Sequence, residues 1–278
     1  MKAQNQTQYW WQYLSWPDIL ERAQKCDIAI LPLGAIEWHG PHLPTGHDSI
    51  QLTPMMERVA ERTGAMLLPC PWYGAHPYHH YYVPGSIPLR NTTMLNLIKD
   101  VVYGASVAGY NKFIIFFGHG QAFVTNYAVQ ELGLEGYFVA SVMFQNLTKD
   151  VQFDIMEGGF GHAEESETSI GLHLFPEFVD MSKAGKGTST TLISDEYYQG
   201  VSEAASGKPC RFDEITKNFP EYRDKVIKTG IRGDATIATA EKGRKYVGVI
   251  VDRMVDFVNH IKETCPAGVK PLTMEPGE

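Results

Sequence analysis

Five side chains able to hold a metal ion fall within twelve residues of this sequence: Glu37, His39, His42, His47 and Asp48, in the run EWHGPHLPTGHD. Glu37 and His39 stand two apart, so an extended backbone sends both side chains to the same side. The glycines and prolines that follow let the chain fold back on itself. Carboxylate and imidazole together suit Zn²⁺, Mn²⁺ or Fe²⁺, whereas a structural zinc site would recruit cysteine thiolates. A second group, Phe117-Gly118-His119-Gly120-Gln121, sets a histidine between glycines that allow the backbone close to an ion or substrate. The third, running from Gly161 and His162 through Glu164, Glu165 and Glu167 to Ser169, opens a helical pattern. Acidic residues in a first turn ordinarily complement the helix dipole, which accounts for Glu164 or Glu165. Glu167 differs, because Ile170 and Leu174 share its face, and a carboxylate on a packing face needs a partner such as a cation.

These groups offer Glu37, His39, Asp48, His119 and Glu167 as ligands. Two imidazoles and three carboxylates can hold two divalent ions with one carboxylate shared, though a one-ion site using part of the set stays open. Paired ions polarise a carbonyl and activate water at neutral pH, the basis of metal-assisted hydrolysis. His42 and His47 read equally well as ligands, as residues supporting ligands, or as turn residues.

Such clusters must be held by regular elements. Residues 27–33 (DIAILPL) and 112–117 (KFIIFF) are β-branched or aromatic runs bounded by turn signals, and read as buried strands. The first two clusters directly follow these strands, where open α/β sheets place their ligands. Residues 66–69 and 137–144 are weaker strand candidates. Helical spacing covers 50–63, 93–109, 127–135, 163–175 and 239–263. Strands alternating with helices predict an α/β fold with a mainly parallel sheet covered on both faces. Residues 182–232 break the rhythm with Gly, Ser, Thr and Lys, as a loop-rich excursion, a substrate lid or a subunit contact. One domain over 1–278 is the simplest organisation.

The composition narrows the functions. Of 278 residues, 24 are Lys or Arg and 32 Asp or Glu, a net charge of −8. The densest basic run is KGRK at 242–245, so a nucleic-acid partner is not expected. Four dispersed cysteines without a CxxC pair exclude a zinc ribbon and a disulfide scaffold. No apolar stretch approaches the roughly 18 residues that span a bilayer. The polar, aromatic start MKAQNQTQYWWQ shows no secretory pattern, and the expectation is a cytoplasmic protein.

The run EWHGPHLPTGHD resembles the EQHGPHLPLGTD-type signature of the creatininase (creatinine amidohydrolase) family. The resemblance continues in order through PGSIPLRNTT, GYNKFIIFFGHG, HAEESETS and GDATIATAEKGRKY, across nearly the whole chain. It implies a three-layer α/β/α sandwich and a binuclear centre of zinc, manganese or both, with iron also admitted. The aspartate matching Asp48 would bridge; His39 and Glu167 would hold one ion, Glu37 and His119 the other. His162 matches a motif histidine near the site and is the candidate proton shuttle. Members typically form homohexamers. Two departures bear on substrate. Creatininase proper carries a glutamate ligand where this chain has Gln121, and uses tryptophans from its second half, whereas all five here precede residue 73. Creatinine is therefore not the expected substrate. The segment 72–82, rich in His and Tyr, offers donors for a polyhydroxylated small molecule or forms an aromatic subunit contact. His80 and Gln121 are the candidate substrate contacts. The expected activity is hydrolysis of a small polar, cyclic amide or formamide. The alternatives are C–C cleavage of an inositol-derived cyclic diketone and a non-catalytic metal-binding scaffold.

Overall fold

The structure is a computed structural model that describes residues 8–187 and 228–271. Four parallel strands form its main sheet: β1 (Ile28–Leu33), β2 (Met66–Leu67), β3 (Lys112–Phe117) and β4 (Phe138–Met143), in the order β2-β1-β3-β4. Every residue of β1 and β3 is buried. Strands covered on both faces have no solvent side to mark with polar residues, hence their continuous apolar runs. The pleat sorts these side chains into two cores. Ile28, Ile30, Ile114 and Phe116 pack with α2 (His47–Thr63) and α6 (Ala240–Thr264). Ala29, Leu31, Leu33, Phe113, Ile115 and Phe117 face α1 (Trp16–Lys25), α3 (Asn91–Val107) and α4 (Ala122–Leu134). The result is a three-layer α/β/α sandwich. A further helix, α5 (Glu165–Leu174), packs against α6 and α2.

The expected elements are present with shifted ends. The helix expected at 50–63 starts at His47, and the one expected at 127–135 starts at Ala122. Strand β2 pairs over two residues only. Of the excursion at 182–232, residues 188–227 lie outside the described residues. Its described flanks pair as a short antiparallel ladder, β5 (Lys186–Gly187) with β6 (Gly233–Asp234). Cys26, Cys70 and Cys265 are free thiols. No helix among the described residues is long and apolar enough to cross a membrane.

A buried ion pair closes the amino end of the sheet. Lys112 Nζ donates to both carboxylate oxygens of Asp27 at 2.8 Å, and to the backbone carbonyls of Pro266 and Val269. Gly268 N–H donates back to Asp27 Oδ2 at 2.8 Å. The segment after α6 is thereby fastened to the start of the two central strands.

Candidate metal centre

The β1–β3 register pairs Leu33 with Phe117, so both strands end at one level and their following loops meet. A Cβ on Gly118 would fall 2.0 Å from the Phe144 ring, so only glycine lets the His119 loop cross there. Asp48 lies in the first turn of α2, where the helix dipole favours a carboxylate. Glu167 lies in the first turn of α5. Ala163 takes a left-handed conformation (φ 50°), and its N–H donates to Glu167 Oε2 at 2.6 Å. That conformation strains an L-residue, and the carboxylate contact helps hold it. His162 is held by reciprocal backbone hydrogen bonds with Arg232 of 3.0 and 2.8 Å.

The five expected ligands lie side by side and are buried. His119 Nδ1 sits 2.7 Å from Glu37 Oε2 and 3.2 Å from Asp48 Oδ2. His39 Nε2 sits 3.4 Å from Asp48 Oδ1 and 3.6 Å from Glu167 Oε2. Asp48 thus turns one oxygen to each half. His39 Nδ1 faces the Glu37 carbonyl at 3.1 Å, which places the proton on Nδ1 and aims the Nε2 lone pair at the carboxylates. The separations of 3.4 and 3.6 Å are long for hydrogen bonds. They match the edge of about 3.3 Å between donors arranged tetrahedrally at zinc-like bond lengths. The donor chemistry of both halves suits a divalent ion, and around His39 the spacing does as well.

Without ions, the charges must balance internally. Burial opposes protonation of His39, but Asp48, Glu167 and Glu37 outweigh it and raise its pKa to about 10. His119 is likewise raised to about 10, burial being overcome by Glu37 and Asp48. Burial works against ionisation of Glu37 and Asp48, yet the surrounding histidines hold both well below the usual carboxylate range. Glu167 goes the other way, to about 8, chiefly through burial with Asp48 and Glu164 adding repulsion. The metal-free centre therefore holds protons where cations would sit.

His162 stands beside this group with its Nδ1 3.9 Å from Glu37 Oε2. Its Nε2 lies 2.6 Å from the Trp38 carbonyl, so Nε2–H donates there and Nδ1 is left as an acceptor. Burial lowers its pKa to about 3, keeping the ring neutral. His80 Nδ1 meets Glu37 Oε1 at 2.7 Å. Gln121 is spent on backbone: Oε1 accepts from Ala75 N–H, and Nε2 donates to the carbonyls of Leu33 and Gly34. Both residues expected to touch substrate thus make these contacts within the protein. His42 pairs with Thr168 Oγ1 at 2.9 Å.

Two more buried histidines join the group: His47, which the sequence left open between ligand, support and turn, and His76, which it did not single out. His47, its ring 4.8 Å from that of His39, groups with His39 and Glu167; His76 groups with His80 and His119. Neither ring makes a hydrogen bond through either nitrogen. The signal in the sequence was histidine density, at 39–47 and again at 76–80; which rings turn inward depends on loop paths that density does not specify.

Comparison with known proteins places this geometry in a lineage. The sequence model of a family described as creatininase, creatinine amidohydrolase, matches residues 12–258. A 3-dehydro-scyllo-inosose hydrolase of Thermotoga maritima is 32% identical, covering 95% of this chain and 87% of its own. A mycofactocin precursor peptide peptidase of Mycobacterium ulcerans is 28% identical, covering 93% and 90%. Solved creatininases in zinc–zinc and manganese forms share the fold, with TM-scores of 0.73 and 0.71 at 23% identity, each covering 92% of this chain and 98% of its own.

Proposed function

This chain belongs to the creatininase family, and on that premise we propose that it hydrolyses a C–C bond in a carbocyclic, polyhydroxylated diketone. It is a metal-dependent hydrolase, as its family and relatives indicate. The similarity to 3-dehydro-scyllo-inosose hydrolase over 95% of the chain carries the choice of substrate class. By its name that substrate is an inositol oxidised at two carbons; a ring made only of carbon can be opened hydrolytically only at a C–C bond.

Glu37, Asp48 and His119 would hold one divalent ion and His39, Asp48 and Glu167 the other, zinc or manganese or both, with iron also suited. When bound, the ions supply a nucleophilic water at neutral pH and polarise the substrate carbonyl. This chain's residues then manage the proton. His162 Nδ1, neutral and pointing towards the Glu37 carboxylate, accepts the proton released as water adds to one carbonyl. The ring C–C bond breaks, its electron pair passing to the carbon beside the second carbonyl. His162 returns the proton to that carbon, giving a ring-opened keto acid. The Trp38 carbonyl holds the Nε2–H throughout, so the proton is exchanged at Nδ1 alone. Trp38, buried and in contact with the rings of both His80 (edge-on) and His162, shields this exchange from bulk water. Homohexamer assembly and a cytoplasmic setting belong to the same reading.

A second reading, hydrolysis of a C–N bond in a cyclic amide or formamide, draws support from the similarity to the peptide peptidase. The test is to load the purified chain with zinc or manganese and offer it 3-dehydro-scyllo-inosose beside cyclic amides and formamides. Expected is loss of the diketone with appearance of a carboxylic acid, abolished by chelation and restored by metal. Turnover of amides alone would overturn the C–C assignment. Activity indifferent to chelation, with fewer than one ion bound per chain, would overturn the metallohydrolase reading itself.

A further inference from the structure

We propose that His76 and His80 join His119 to form a three-imidazole face for the ion held by Glu37 and Asp48. This rests on the binuclear reading above and specifies its second half. Gln121 has given its side-chain oxygen to Ala75 N–H and its amide hydrogens to Leu33 and Gly34, so it serves as a backbone clasp. The clasp acts on the residue next to His76. Leu89 N–H, donating to the Gly74 carbonyl at 2.8 Å, pins the other side of the same segment. Held this way, the His76 ring lies 4.4 Å from that of His119, centroid to centroid.

His76 is 1% exposed, and neither of its nitrogens makes a hydrogen bond. Burying an imidazole with both nitrogens unsatisfied costs free energy that an ordered ligand would recover. His76, His80 and His119 each offer a donor atom within 4.8 Å of the others. His80 Nδ1 and His119 Nδ1 meet the two oxygens of the same Glu37 carboxylate, each at 2.7 Å. One ion in front of Glu37 is therefore within reach of two of these rings, and a small rotation of His76 supplies the third. A nitrogen-rich shell of this kind favours zinc, cobalt or iron over manganese, which prefers oxygen donors.

X-ray absorption at the zinc edge of the zinc-loaded chain tests this without relying on turnover. Four imidazoles (His39, His76, His80, His119) over two ions give an average of about two per zinc, falling to about one in the double variant His76→Ala/His80→Ala. Zinc-over-manganese preference at the Glu37 site should fall about 10-fold or more in the variant. An unchanged imidazole number with two ions still bound would overturn the proposal and leave the hydrolase reading standing. If the variant does not fold, about one imidazole per zinc in the unaltered chain overturns it alone. Fewer than two ions bound to the unaltered chain would instead strike the binuclear reading.

Discussion

Loading the metal-free protein with zinc at pH 7 should release about three protons per chain. His39 and His119, each with a pKa of about 10, are fully protonated at that pH. Glu167, at about 8, is mostly protonated as well. All three must be deprotonated to bind an ion, so loading at pH 7 expels close to three protons. The release should be smaller at pH 9, above the Glu167 value and nearer those of the histidines. An indicator dye in weakly buffered solution, or titration calorimetry in two buffers of different ionisation enthalpy, measures the release. Ionisation of a water on the ions can only add to the count. A release below two protons at pH 7 would therefore refute this charge balance for the metal-free protein.

The same pKa values bear on stability. His39 and His119 are raised above their unfolded values near 6.5, so their contribution is full below pH 6.5 and lost as pH rises towards 10. The melting temperature of metal-free protein should fall across that window; a flat profile would contradict it. Asp48→Ala should strip more metal than Glu37→Ala, since its oxygens face both halves; equal retention of two ions by elemental analysis would exclude bridging. His162→Asn should lower kcat by about 10²–10⁴-fold with both ions retained, the range expected for a lost proton-transfer group; unchanged kcat would remove His162 from the mechanism. Lys112→Met should destabilise the fold by about 3–5 kcal/mol in denaturant titration, because it leaves Asp27 buried and unpaired. Its ion content should not change, and a loss of metal would show the two ends of the sheet to be coupled.

The parts of the fold legible in the sequence were those set by local pattern. Strands β1 and β3 declared themselves because burial on both faces leaves no polar alternation to confuse them. The start of α2 was hidden because first-turn amides have no intrahelical partner and tolerate the Gly-His-Asp entry that periodicity reads as loop. Glu167 could be singled out because its apolar neighbours at i+3 and i+7 made a lone carboxylate incongruous. What could not be read depends on contacts between distant segments. The backbone bridge between His162 and Arg232 joins residues 70 apart. The left-handed turn at Ala163 has no glycine to announce it. The clasp made by Gln121 was equally hidden, since nothing local reveals that Leu33, Gly34 and Ala75 surround its amide.

The two central strands have buried carboxylate at each end, Asp27 at one and a cluster at the other, and the two ends obtain their positive charge differently. At the amino end Asp27 is neutralised by Lys112, a cation encoded in the chain and available as soon as the strands pair. At the carboxyl end, about 20 Å away along six-residue strands, Glu37, Asp48 and Glu167 draw on ions from outside or on borrowed protons. This separates the history of the molecule into two stages. On the proposed reading the sheet can be sealed from its base while the other end is still protonated, and ions would then replace those protons. On the proposed metal-centre reading, the metal pool present after folding would then bear on which ion each half takes, within the preference its donors set.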